Sequence, residues 1–357
     1  MKEVLETGKN TPASPIRVYK IIYPVIIGAL VVGYMMYRDF DPGAFDLVTF
    51  TRGTVFWLLV AFSCMVVRDA GYVIRIRWLS GNRLGWRQAF RVIMLWEFTS
   101  AVTPSAVGGT SLAILFVHKE GIGVGKSSAM VMAAAFLDEL YFILMFPLIM
   151  LVVSRHALYD VPGAGEGVAR GLFAFAVVGY GLKAAFLAVL SYGLFRNPRG
   201  LKHLLVRLFR WRVLRKWRRD VNEVGDDLIR NSIELRSKPF GFWLKTFAAT
   251  FCSWTARYWV VNALLVAFWF DHYDWARHFL LFARQLVMWI IMLVAPTPGG
   301  SGFAEYLFTE YLSGFFPVAG VAIVMALSWR LVSYYPYLII GVWIVPRWLA
   351  RHFGRKK

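Results

Sequence analysis

The sequence predicts an all-α polytopic membrane protein, with about six full spans plus two re-entrant, broken helical hairpins arranged as an inverted repeat. Three observations predict it. Of the 357 residues, 58% are hydrophobic and only 17% charged, against about 25% charged in a soluble domain. The net charge of +19 gathers between and beyond the apolar runs, as it does in loops that face anionic lipid. Two glycine-proline segments, TPSAVGGTS at 103–111 and PTPGGSG at 296–302, interrupt runs that otherwise read as membrane helix.

The elements follow in chain order. Residues 1–16 are polar, carry Pro12 and Pro15, and read as a cytoplasmic tail. Runs long enough to cross a bilayer, about 20 residues each, fall at 19–37, 54–76, 124–153, 171–195, 241–270 and 317–345. The first is followed by no small-residue cleavage pattern, since Tyr34-Met35-Met36-Tyr37 is bulky, so it reads as an uncleaved span. The runs 88–116 and 279–312 are the broken ones. The membrane domain thus covers 17–350, with halves at 17–195 and 241–346 joined by a basic cytoplasmic segment, 196–240, and followed by a basic tail, 351–357. In the joining segment, Leu201, Leu204, Leu205, Leu208, Leu214 and Trp217 recur at helical spacing among Lys and Arg. Two readings stand there: a helix in the headgroup layer, or a loop that merely obeys the positive-inside rule.

The loops set the orientation. Residues 75–91 hold five arginines and no acid, and 196–238 hold thirteen Lys or Arg against five acids. The tail beyond Pro346 is also basic, whereas 38–53, 154–170 and 271–278 are near neutral or slightly acidic. The positive-inside rule places the basic group and both termini in the cytoplasm. If 88–116 crossed once, the basic 196–238 segment would lie outside, so this run must enter and return on the cytoplasmic side. By the same parity 279–312 must enter and return on the outer side. One hairpin from each face is the layout of an inverted repeat.

Ionisable side chains within spans cost about 2.5–3.5 kcal/mol each on insertion scales, so each needs a partner or a wet cavity. The chain places Arg68, Arg257, Arg284 and Arg330 there, with Asp69, Glu97, Asp138, Glu139 and Glu305. This near-balance points to mutual pairing and to a groove for an anionic or zwitterionic headgroup, with arginine forks for phosphate. At the hairpin tips, unpaired backbone N–H groups suit an anion. Pro104, Pro296 and Pro298 stop the helices there. Gly108, Gly109, Gly299 and Gly300 allow positive φ and close approach to a ligand.

At these residues the chain resembles the lysylphosphatidylglycerol synthase transmembrane-region family, in its stand-alone, flippase-like form. The resemblance rests on Pro104…Gly108-Gly109 followed by His118-Lys119-Glu120-Gly121, on Asp138-Glu139, and most specifically on the run from Pro296 to Glu305. It covers about residues 15–350. It implies translocation of a lipid by a headgroup groove. The sequence departs from the family where Ser111-Leu112-Ala113 replaces an arginine that often follows the glycine pair, and where Asp-Glu stands for the Glu-Arg of many relatives. Both changes alter the charge of the groove, so the headgroup need not be lysyl-phosphatidylglycerol. The family's full-length synthases carry a soluble aminoacyltransferase domain. The residues after 350 encode none, so the chain is not expected to synthesise the aminoacyl lipid.

The expected function is therefore a lipid transporter of the bacterial inner membrane, working on membrane lipids, with a homo-oligomer or an envelope enzyme as a further partner. The alternatives are a membrane-embedded transferase using Asp138-Glu139 as its acidic pair, or a non-transporting accessory subunit. No GxxxxGK[ST] loop is present for nucleotide drive. No motif of nucleic-acid recognition accompanies the positive charge. Cys64 and Cys252 read as free thiols, and His272 and His278 with Asp271 and Asp274 read as a polar outer turn. No cofactor or metal is expected.

Overall fold

In a computed structural model, the chain is helical, with no strand among the described residues. Those residues are 50–353 apart from 104–105, 162, 164, 198–199, 201–228, 230–231, 269–273, 293–296, 298–299 and 317–318, together with Tyr34 and Tyr37. The expected first span, except for those two tyrosines, and the expected headgroup-layer helix lie outside them.

The helices are α1 (Arg52–Leu79), α2 (Trp86–Val102), α3 (Ala106–Lys119), α4 (Val124–Val152), α5 (Arg155–Tyr159), α6 (Glu166–Ser191), α7 (Phe240–Phe268), α8 (Trp275–Ile291), α9 (Phe303–Tyr311), α10 (Ala319–Ser333) and α11 (Tyr335–Phe353). Among the described residues, four helical stretches are long and apolar enough to cross a membrane: Arg52–Leu79, Val124–Val152, Glu166–Arg196 and Val321–His352. Local chemistry sets the ends. Thr51 and Thr54 cap α1 reciprocally, each side chain accepting from the other's backbone N–H. The turn after α1 runs through Gly81 and Asn82 at φ +69° and +61°. Asp274 caps α8 by accepting from the Ala276 N–H.

α1 and α7 form the centre of the molecule and run antiparallel, with Phe50 against Phe268 at one end and Arg75 against Thr250 towards the other. Gly71 makes their close approach possible. A Cβ there would sit 2.1 Å from Ser253 Oγ and 2.8 Å from the Ala249 carbonyl.

Each broken run folds back on itself. At the base of the first hairpin, Gln88 on α2 donates to the Glu120 carbonyl just past α3, and Arg91 pairs with the Glu120 carboxylate at 2.8 Å. At the base of the second, Arg277 on α8 donates to the Phe315 carbonyl beyond α9. The two bases lie on opposite faces. α4 begins beside Glu120 and runs 29 residues, about 43 Å at 1.5 Å per residue, to α5, whose carbonyls contact the second hairpin.

Several boundaries differ from the sequence reading. α1 continues to Leu79, so Arg75 and Arg77 are helical rather than in the 75–91 loop. The reason lies inside the protein, where Asp138 holds Arg75. The expected span 317–345 corresponds to the one helical stretch Val321–His352, interrupted at the single residue Tyr334 between α10 and α11, and α11 runs past Arg351 to Phe353. Pro336 lacks the N–H that would continue the α10 ladder, whereas a proline is tolerated in the first turn of a new helix.

Candidate functional site

Arg68 lies about 24 Å along a helix of about 42 Å, near the middle of α1, and is 2% exposed. Its Nη1 donates to Asp69 at 2.9 Å and to the Tyr337 hydroxyl at 2.8 Å, and its Nη2 donates to Glu97 at 2.6 Å. The Tyr337 hydroxyl in turn donates to Asp69 at 2.8 Å. One arginine thus joins α1, α2 and α11 and serves two carboxylates, each of which keeps 20% of its side chain exposed. The far oxygen of Glu97, Oε1, accepts no hydrogen bond among the described residues.

Arg257, on α7, lies within electrostatic reach of Arg68 and Glu97. Its guanidinium stands 5.6 Å from the Trp254 ring centroid and 4.7 Å from that of Trp289. It is partly buried and, among the described residues, has no carboxylate or hydrogen-bond partner. Its two aromatic neighbours come from α7 and from the first arm of the second hairpin, while Glu97 comes from the first hairpin.

Asp138 and Glu139 are adjacent in sequence but turn about 100° apart on the helix, and they serve different neighbours. Asp138 accepts from both Nη atoms of Arg75, at 2.5 and 3.1 Å, and from Trp254 Nε1 at 2.8 Å. Glu139 pairs with Lys183 on α6 at 2.8 Å, and the ammonium also lies over the Phe142 ring. Arg75 and Lys183 escaped the sequence reading. Lys183 carried a usable signal, being the single charged residue in its expected span.

At the second hairpin tip, Gly300 and Gly302 take φ of +68° and +82°, which only glycine adopts without strain. Glu305 accepts from the Gly302 N–H at 2.7 Å, capping α9, and is held by Arg330 at 3.0 and 3.1 Å. Both side chains are buried. Ser301 donates to the Tyr334 hydroxyl at 3.2 Å, and that hydroxyl donates to the Ala101 carbonyl, on the last turn of α2, at 3.0 Å. The two broken segments therefore meet through one tyrosine. Gly108 and Gly109 fall inside α3 rather than in the break. Gly109 is helical instead of taking a positive φ, and it lets α2 and α3 touch, since a Cβ there would lie 2.1 Å from Ser100 Oγ. Pro104, Pro298 and Gly299 lie outside the described residues.

Arg284 spends its donors on main chain. It donates to the carbonyls of Ala157, Asp160 and Tyr311 at 2.6 to 3.1 Å. Those carbonyls stand at the ends of α5 and α9, where helix dipoles favour a cation. The arrangement stitches the α4–α6 connection to the second hairpin.

The expected groove residues thus fall into a central set (Arg68, Glu97, Arg257), two flanking ion pairs (Arg75–Asp138 and Lys183–Glu139), a tip pair (Arg330–Glu305) and a main-chain clamp (Arg284). Against known proteins, the chain is similar to a UPF0104 membrane protein of Archaeoglobus fulgidus, with 28% identity over 301 residues, which cover 80% of this chain and 85% of that protein. The lysylphosphatidylglycerol synthase TM region family matches residues 21–341, nearly the whole membrane domain with both broken hairpins, and the chain belongs to that family.

Proposed function

We propose that the chain is a transporter that moves a polar lipid, or a lipid-linked precursor, between the leaflets of the cytoplasmic membrane, with both termini in the cytoplasm. The headgroup passes between the hairpins while the acyl chains stay in the bilayer. The observation that carries this reading is the meeting of the two hairpins beside Arg68, Glu97 and Arg257. Broken helices from opposite faces, with partly exposed charges at their junction, form a site that can be opened to either side. Family membership supports the same reading.

A transferase reading needs carboxylates that share a substrate, and Asp138 and Glu139 are instead taken by Arg75 and Lys183 on different helices. The test is leaflet-resolved movement of headgroup-labelled lipids in liposomes holding the purified chain. Protein-dependent movement that is lost in folded Arg257→Gln supports transport. Intact protein that moves no lipid of a broad panel, yet changes a lipid's mass, would replace the transporter with an enzyme.

A further inference from the structure

We propose that a cavity between α1, α7 and the start of α8 binds one acyl chain of a membrane lipid. Its chemistry is separate from that of the charged set between the hairpins, and it does not rest on the transport reading. The cavity has a volume of about 140 Å³. Trp57, Val60 and Cys64 line it from α1, and Trp259, Asn262 and Ala263 from α7. His278 reaches it from the first turn of α8. No Asp, Glu, Lys or Arg lines it among the described residues. The Asn262 amide is already engaged, its Nδ2 donating to the His278 carbonyl at 2.9 Å and its Oδ1 accepting from Gln285 at 3.4 Å. The His278 ring lies nearly parallel to that of Trp259, at 17°. Apolar cavities of this size stay dry, and one of about 150 Å³ takes up a benzene ring. The space therefore suits one chain segment and is too small for a fused-ring lipid.

Position decides what fills it. Trp57 and Cys64 lie about 8 and 18 Å from the start of α1 at 1.5 Å per residue. Half of a hydrocarbon core is about 15 Å, so the cavity sits at the depth of one leaflet's acyl chains. Trp275, at the start of α8, is 64% exposed and packs edge-on against Trp259. Tryptophan gathers at the headgroup level, so it marks the boundary of that leaflet. Trp57, Val60, Cys64 and Trp259 are each partly exposed, whereas Asn262, Ala263 and His278 are buried. The cavity thus has a mouth and a floor. Beside the mouth on α1, Phe56, Leu59 and Phe62 are all more than half exposed and meet hydrocarbon. Left empty, the walls would forfeit dispersion contacts on one side. A chain entering from the bilayer restores them, and it loses nothing by the move because lipid is as apolar as the site.

The test is photo-cross-linking of the full chain in detergent micelles by a phosphatidylcholine with a diazirine halfway along one acyl chain. Adducts are mapped by mass spectrometry. Those at Trp57, Cys64 and Trp259 should saturate as the photolipid rises and be displaced by unlabelled phosphatidylcholine. Those at Phe56, Leu59 and Phe62 should rise linearly, as contacts with bulk lipid do. Val60→Phe at the mouth and Ala263→Phe at the floor should each remove the saturable component and leave the linear one. Val60 is partly exposed, so its variant fills the cavity without overpacking the core should Ala263→Phe fail to fold. A diazirine fatty acid with the same chain separates the sources. Saturation by the phospholipid, alone or alongside the fatty acid, supports a lipid's chain, whereas saturation by the fatty acid alone would replace it with a free acid.

Linear, unsaturable adducts at every one of these positions would overturn the site and leave only ordinary contact with surrounding lipid. Saturable adducts that persist undiminished in both folded variants would overturn it as well. Other occupants would show themselves in a Cys252→Ser chain, where Cys64 is the remaining cysteine. A short bis-thiol cross-linker that joins two chains through Cys64 would give the cavity to a second copy. One that joins Cys64 to a cysteine introduced within 19–37 would give it to the expected first span. Either result, without saturable lipid adducts, overturns the proposal. Leaflet movement is no part of the readout, so a chain that moves no lipid can still hold this one.

Discussion

The Tyr334 hydroxyl donates to the Ala101 carbonyl at 3.0 Å, joining the break between α10 and α11 to the last turn of α2. The same oxygen accepts from Ser301 at 3.2 Å, so a residue of the second half holds both hairpin tips. The last four carbonyls of a helix have no intrahelical donor, and in lipid no bulk water is available to replace one. Tyr334→Phe should therefore destabilise the protein by about 1–3 kcal/mol, the cost of a buried acceptor left unsatisfied. Ser301→Ala should cost less, because Tyr334 keeps its acceptor. Thermal unfolding in detergent reads the order, and a larger effect for Ser301→Ala would contradict it.

The Arg75–Asp138 pair makes a different prediction. Arg75→Met leaves Asp138 with the Trp254 indole as its one remaining donor among the described residues. Breaking a buried pair costs about 3–5 kcal/mol, and the low end is expected because Asp138 is 23% exposed. The double variant Arg75→Met/Asp138→Leu removes both charges and should recover most of that loss. If the double variant is as unstable as the sum of the single variants, the two side chains do not act as a pair.

Gly71 fixes the spacing of the two central helices. Gly71→Ala places a Cβ 2.1 Å from Ser253 Oγ and 2.8 Å from the Ala249 carbonyl. Overpacking of this kind costs about 1–3 kcal/mol. Adding Ser253→Ala should relieve only part of it, because the carbonyl belongs to the α7 backbone and cannot rotate away. Complete rescue by Ser253→Ala would show that the helices are free to separate.

The helices were legible in the sequence because apolar runs and glycine-proline breaks are one-dimensional signals. The parity of basic loops predicts hairpins that enter from opposite faces, and the bases at Gln88–Glu120 and Arg277–Phe315 lie on opposite faces of the molecule. The division at Tyr334 was not legible, since Tyr-Tyr-Pro-Tyr within an apolar run differs little from the proline that α4 carries at Pro147 without ending. Arg75 was hidden by the rule that made the loops readable: a charge-counting argument assigns an arginine near a span's end to the loop, and its partners Asp138 and Thr250, sixty-three and 175 residues on, show that it turns inwards. Which acid serves which base is set by helix rotation and packing. No spacing along the chain encodes that Asp138 and Glu139 part company or that Arg257 lies against two indoles.

Glu234 of the joining segment, outside the membrane spans, is held by Lys126 in the first turn of α4 at 2.8 and 3.2 Å. The hydrogen bond from that ammonium is the main reason the Glu234 carboxyl titrates below its ordinary value, against a smaller opposing effect of burial. A depressed carboxyl stabilises the folded state fully above the unfolded value, about pH 4.3 for glutamate. That contribution fades as pH falls through the lowered folded value. Glu234 is 44% exposed, so solvent screening keeps the effect small and local. Amide exchange in the helical stretch 232–236, corrected for its intrinsic pH dependence, should be slow at pH 7 and accelerate below about pH 4. Lys126→Met should speed it already at pH 7 and flatten the profile. Faster exchange at neutral pH than at acid pH in the unmodified chain would mean that this contact does not anchor the segment.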